Sequence, residues 1–128
     1  NTSSRLNSTW GGNLADMVRG QRYLEIYEEE DILDYVANTA GPELLKGLGE
    51  LQKEFPALIS NVRGKGLMCA YDLPDTDTRN RLLKALHGSR VLIMPCGPAS
   101  IRYRPALNVP LKDIDKGLDI TRQCLKKI

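Results

Sequence analysis

The sequence predicts an α+β fold, with a long connecting helix followed by a small, mostly antiparallel sheet covered by helices. Three observations lead there. Apolar residues recur at helical spacing in the first and last parts of the chain, strict alternation sets in after a glycine-rich turn near residue 65, and two short strand-like runs follow it. The resulting order of long helical stretch, strand, helix, strand, strand and helix suits helices laid on one face of a sheet, a two-layer sandwich.

The first helix is expected over about 13–29. Leu14, Met17, Val18, Leu24 and Tyr27 keep its period, Asn13 is placed to cap it, and Asp16 sits in its first turn. After the acidic run Glu28 to Asp31 the pattern resumes in "ILDYVANTAGPELLKGLGELQKEF". Gly41 and Pro42 interrupt it, so this stretch is either one kinked helix or two abutting ones. "RGKGL" has the glycines of a phosphate loop without the spacing and reads as a tight turn feeding a strand at about 65–72, where Leu67, Cys69 and Tyr71 alternate with Met68, Ala70 and Asp72. A short helix follows, capped by Asp75 or Thr76, with Leu82, Leu83 and Leu86 as its buried stripe and Gly88 as its stop. "VLIMPC" and "SIRYRPAL" read as two strands joined by a turn at Pro95, Gly97 and Pro98. From "PLKDIDKGLDITRQCLKKI" comes an amphipathic terminal helix, acidic early and basic late, in keeping with its dipole.

Composition narrows the function classes. With 128 residues the chain holds one domain's core, and 41% apolar with 27% charged residues is ordinary for a soluble globular domain. Eighteen basic against 16 acidic side chains leave a net charge of +2, which gives no electrostatic footprint for nucleic acid. No apolar run is long enough to span a bilayer. A basic start, apolar run and cleavage site are all missing from the N-terminal residues, so a cytoplasmic location is the expectation. Cys69, Cys96 and Cys124 form no C-x-x-C pair, so neither zinc nor dithiol chemistry is indicated and buried free thiols are expected.

Few residues carry a candidate chemistry. His87, the only histidine, falls at a helix end with no partner in view and suits a capping or surface role. The pairs Asp75 with Asp77 and Asp113 with Asp115 lie at helix starts, where capping accounts for them. Arg102 and Arg104 share one face of a short strand, because strand side chains alternate. They suit either a surface ion pair or a bidentate clamp on a carboxylate, for which a planar guanidinium is better shaped than an ammonium. Near the start, "RLNSTWGGN" places the Ser8 and Thr9 hydroxyls and two glycines just before a helix N-terminus. A capping loop and an anion site both fit that arrangement.

A resemblance narrows these alternatives. "RLNSTWGGNLADMVR" resembles the T-[FW]-G-G-N segment of the class III, pyridoxal-phosphate-dependent ω-aminotransferases, "RGKGLMCAYDL" resembles their R-G-x-G-L-M strand, and "IRYRPAL" resembles their I-R-F-R-P-x-L strand. The three occur in the family's order across nearly the whole chain. "LNSTWGGN" and "GLMCAYDLP" are most similar to the members acting on the terminal amine of L-lysine, ahead of those acting on 4-aminobutyrate or ornithine.

The resemblance implies a C-terminal portion of a fold-type I enzyme. Residues 1–55 would hold the cofactor-phosphate loop, the connecting helix and the start of the small domain, and residues 56–128 the α+β small domain. It further implies that Thr9, helped by Ser8, binds the phosphate of pyridoxal 5'-phosphate in the neighbouring subunit of a homodimer. Arg102 would be the substrate-site arginine, pairing a carboxylate or a glutamate that exchanges with it. The family's Schiff-base lysine and ring-binding residues belong to a large domain outside this match, and Lys65, in a turn, is not in their motif context. The implied reaction moves the terminal amino group of L-lysine to 2-oxoglutarate, with no catalytic residue in these 128 and no activity expected of them alone. A different reaction on the same fold, or a non-catalytic binding or assembly module, are the rival readings.

Overall fold

The structure, a computed structural model, describes residues 9–128. The chain divides into two compact units, one reaching to Ile32 and one running from Leu33 to Ile128.

The first unit is built on α1, Leu14–Glu29. Asn13 caps it as expected, its Oδ1 accepting the Ala15 N–H at 3.0 Å. The polar face is laced by ion pairs, Arg19 with Asp16 at 3.2 Å and Arg22 with Glu29 at 2.8 Å, and Asp31, at φ 49°, follows the helix end. The apolar period that predicts the helix does not bury it: no residue of α1 is buried, and Leu14 and Val18 are 76% and 71% exposed. Periodicity reports a helix face made to be covered, and these residues leave it open.

The interrupted stretch turns out to be one continuous helical path with a local unwinding. Helix α2, Ile32–Tyr35, passes into a π-helical turn, Val36–Ala40, and then into α3, Gly41–Glu54. Pro42 is the cause, since its ring would strike the carbonyl four residues back and it has no N–H to donate. The wider turn just before it removes that conflict, with the Gly41 N–H donating to the Val36 carbonyl. A Cβ on Gly41 would stand 2.8 Å from the Gly66 Cα, so this kink also seats the helix against a β-turn.

Four strands form an antiparallel sheet in the order β1-β2-β4-β3, with β1 Ser60–Lys65, β2 Met68–Asp72, β3 Met94–Cys96 and β4 Ser100–Tyr103. The sequence reading misses β1. "SNVRGK" is polar and carries no alternation, and only its pairing with β2 makes it a strand: "RGKGL" is the turn of a hairpin, with Gly66 at φ 55°. The expected strands at 91–96 and 100–107 shorten to three and four residues. Pro95 fits β3 because that strand is an edge, and β4 ends at Tyr103, shortly before Pro105, which has no ladder donor.

Helices α3, α4 (Thr76–Gly88) and α5 (Leu111–Leu125) bury one face of this sheet. Leu44, Leu48 and Leu51 of α3, Leu82 and Leu86 of α4, and Ile114 and Leu118 of α5 meet Cys69, Tyr71 and Ile101 of the sheet. Asp75 caps α4 by accepting the Thr78 N–H at 2.7 Å. Capping does not account for Asp113 and Asp115, because α5 has Pro110 at its cap position with no side-chain cap bond. Tyr103 joins sheet to helix: Thr121 Oγ1 donates to the Gly117 carbonyl at 2.8 Å, so the Tyr103 hydroxyl is the donor in its 2.7 Å bond to Thr121. Cys69 and Cys124 are buried thiols as expected, whereas Cys96, on the edge strand, is half-buried.

The opposite face of the sheet is open. Register places Met68, Ala70 and Asp72 of β2 on it, with Ser100 and Arg102 of β4, Met94 of β3 and Arg63 of β1. A polar latch holds its middle. The Ser100 hydroxyl donates to Asp72 Oδ1 from directly across the ladder, Asn61 Nδ2 donates to Oδ2 at 2.7 Å, and Arg63 Nη1 pairs with Oδ1 at 3.0 Å. A bulge in β1 between Ser60 and Arg63, with Asn61 at φ 52°, brings both β1 donors to one carboxylate.

Two expectations follow. Gly64 lies against Cys69 and its neighbours, where an added Cβ would be 2.7 Å from the Met68 carbonyl oxygen and 2.8 Å from the Cys69 Cα. Since those atoms are backbone and cannot yield, Gly64→Ala should lower the unfolding free energy by about 1–3 kcal/mol in urea titration. The second concerns acid. Hydrogen bonds, that from Ser100 foremost, hold the Asp72 carboxyl below its ordinary 3.8. A carboxyl more acidic in the folded chain than in the unfolded one adds stability above the unfolded value and loses it as pH falls through the folded value. Wild type should therefore exceed Asp72→Asn in urea midpoint at neutral pH, and the gap should close as the pH is taken from about 4 downward.

Candidate functional site

Arg102 is the residue about which a site can be built. It sits in the middle of β4, between Ile101 and Tyr103, whose side chains belong to the helix-covered face, so alternation puts Arg102 on the open one. Across the ladder it faces Ala70 on one side and Met94 on the other. Ala70 is too small to cover it, and Met94 and Met68 are 55% and 56% exposed, so the guanidinium has an apolar rim. Its Nε is buried and has no hydrogen-bond partner among the described residues. A buried guanidinium N–H without an acceptor is costly, which marks this donor as built for an acceptor these residues do not supply.

The space beside it is a cavity of about 460 Å³ within the second unit. Arg102, Met94 and Pro105 border it from the sheet side, and Leu44, Val109 and Ile114 from the helix and loop side. Arg104 and Asp113 reach its edge, yet neither forms an ion pair with any described residue. Of the two alternatives for the arginine pair, the protein-internal ion pair is therefore not made. An aliphatic chain ending in a carboxylate matches what the cavity offers: largely apolar walls bordered by the unpaired guanidiniums of Arg102 and Arg104.

Thr9 belongs to the first unit. It is exposed in the turn over residues 9–12, immediately before α1, with Gly12 at φ 83° and the Asn13 N–H donating to the Trp10 carbonyl at 3.3 Å. Asn13 does the helix capping, which leaves the Thr9 side chain without that duty. Ser8 lies outside the described residues. An exposed hydroxyl beside a glycine in the left-handed region, at the positive end of a 16-residue helix, suits a phosphate group. His87 has a structural role, its Nε2 lying 3.1 Å from the Ile93 carbonyl. Among the described residues no cluster of three or more metal-ligating side chains exists.

The Asp72 latch escaped the sequence reading. "AYD" and "SIR" do not announce a contact until β2 and β4 are paired, and Asn61 and Arg63 reach Asp72 only because β1 is bulged. A hairpin reading of "NVRGKGLMCAYD" would have put Arg63 opposite Ala70 and so within reach of Asp72.

Comparison with known proteins places this geometry. The model of the family "Aminotransferase class-III" matches residues 1–125. The L-lysine-epsilon aminotransferase of Amycolatopsis lactamdurans is 48% identical over 118 residues, 91% of this chain and 26% of that protein. The human mitochondrial 4-aminobutyrate aminotransferase is 38% identical over 107 residues, 84% of this chain and 21% of its own length. Among solved structures, lysine aminotransferase from M. tuberculosis superimposes with a TM-score of 0.87 at 41% identity, covering 98% of this chain and 29% of that one. The chain thus spans about a quarter of the length of the relatives it matches. With the family match running over nearly all of it, and the fold matching in detail, this chain belongs to the class III aminotransferases.

Proposed function

We propose that this chain is the C-terminal part of a pyridoxal-phosphate-dependent aminotransferase that moves the terminal amino group of L-lysine to 2-oxoglutarate, as a homodimer in the cytoplasm. The observation that carries the reading is the buried, unpartnered Nε of Arg102 beside an apolar cavity. Identity of 48% to an L-lysine-epsilon aminotransferase, against 38% to a 4-aminobutyrate aminotransferase, supports lysine as the donor.

The chain's residues divide the work. Arg102 holds a carboxylate through its planar N–H edge, which orients the substrate and loses less side-chain freedom per hydrogen bond than a lysine would. Leu44, Val109, Ile114 and Met94, which line the cavity, accept the aliphatic stem. The same arginine, alternating between an acid of the protein and a substrate carboxylate, lets one site accept both the amine donor and the dicarboxylate. Thr9, assisted by Ser8, donates its hydroxyl to a phosphate oxygen of the cofactor bound by the other subunit. Pyridoxal 5'-phosphate, when bound, supplies the aldehyde that takes up the amino group and the conjugated ring that spreads the charge left on carbon. No lysine here is offered as the cofactor's attachment point, so the 128 residues by themselves would not transaminate.

Kinetics of the intact enzyme containing this chain test the reading. Arg102→Lys should raise the KM for 2-oxoglutarate about tenfold or more, since the bidentate geometry is lost, while the thermal midpoint moves little. Equal loss of folding and of turnover would make Arg102 a structural residue and overturn the reading. Thr9→Val should weaken cofactor retention on dialysis, followed by cofactor absorbance, by about tenfold in Kd, and should leave the KM for 2-oxoglutarate near the wild-type value.

A further inference from the structure

Resting on the reading of Arg102 as a carboxylate holder, we infer that Arg63 is a specificity-determining positioning residue, which keeps Asp72 from neutralising Arg102. Asp72 is the only acidic residue in the four strands. It stands directly opposite Ser100, and Arg102 lies two residues further along β4 on the same face. Asp72 and Arg102 are therefore diagonal neighbours, a separation of about 7–8 Å between backbones that a long side chain spans. A carboxylate and a guanidinium so placed on an open sheet face would pair if both were free.

They do not pair, because both oxygens of Asp72 are engaged elsewhere. Oδ1 receives Arg63 Nη1 at 3.0 Å and the Ser100 hydroxyl, and Oδ2 receives Asn61 Nδ2 at 2.7 Å. Arg63 is fixed in turn, its Nη1 donating to the Asn61 carbonyl at 2.8 Å and its Nη2 to Ser100 Oγ at 3.4 Å. Ala70 separates the two arginines, facing Arg63 across one ladder and Arg102 across the other. Arg63 thus goes with the Asp72 row and Arg102 stays alone. Of Arg63, Asp72 and Arg102, the first two are joined in a neutral cluster and Arg102 is left uncommitted. Asp113, the other acid near Arg102, borders the cavity from α5 and pairs with neither arginine.

Removing the Arg63 charge frees an Asp72 oxygen, and Arg102 is the nearest cation on the face to claim it. The substrate carboxylate must then compete with Asp72 in addition to the acid that Arg102 exchanges with in the proposed cycle, and affinity falls without change at the reacting atoms.

The test uses the intact enzyme containing this chain. Arg63→Gln should raise the KM for 2-oxoglutarate about tenfold with kcat changed less than about twofold, and Arg63→Lys should stay near wild type. The double variant Arg63→Gln/Asp72→Asn should recover the wild-type KM within about threefold, a coupling that a merely structural role for Arg63 would not produce. A crystal structure of the Arg63→Gln enzyme should show Asp72 in contact with Arg102. An unchanged KM in Arg63→Gln, a double variant as impaired as the single one, or Asp72 and Arg102 still apart would each overturn the inference. Arg102→Gln separates the two levels: if it keeps full affinity for 2-oxoglutarate, the carboxylate reading fails and the inference with it. If it loses affinity while Arg63→Gln does not, only the role of Arg63 fails.

Discussion

The pairing of β2 with β4 is the constraint on which the rest depends. Its register, Cys69 with Tyr103 through Asp72 with Ser100, decides at once which side chains enter the core and which face outward. A slip by one residue would bury Arg102 and Asp72 and expose Tyr71 and Ile101. The two faces fix this register by different means. Inside, Tyr71 and Tyr103 lie with ring centroids 6.1 Å apart, and Tyr103 is bonded to Thr121 of α5. Outside, Ser100 and Asp72 lock the ladder by a charge-assisted hydrogen bond.

From that pairing the site follows. Arg102 is held by a strand whose inner face is committed to helices α3 and α5, so it has little freedom to seek a partner. The latch engages the one acid on its sheet face, alanine and methionine flank it, and a cavity opens beside it. The interactions that hold this face of the sheet together engage Asp72 and leave Arg102 uncommitted.

Much of this was legible in the sequence. Helix α1, the strand through Cys69 and Tyr71, the Asp75 cap and the amphipathic α5 each follow from periodicity and capping, which are local properties. Arg102 was legible as a candidate from alternation, and the family from three short motifs. Less accessible was whatever depends on partners distant in sequence. β1 lacks apolar alternation because it is polar and edge-placed, and the Pro42 conflict could be relieved in several ways, of which the π-helical turn is one. The latch joins four residues from three strands, of which a hairpin reading could have given only the approach of Arg63 to Asp72, not Ser100 or the bulge at Asn61. Burial, too, is not local: α1 has the period of a covered helix and leaves its apolar side chains exposed.

On the proposed reading Arg102 is an uncommitted cation presented for a substrate carboxylate. The most direct measurement is a crystal structure of the intact enzyme with a bound dicarboxylate, glutarate being a non-reacting mimic of 2-oxoglutarate. A glutarate oxygen is expected within about 3 Å of the Arg102 guanidinium, with the Arg63 to Asp72 pair undisturbed. Glutarate held elsewhere, with Arg102 paired to a carboxylate of the protein, would contradict it.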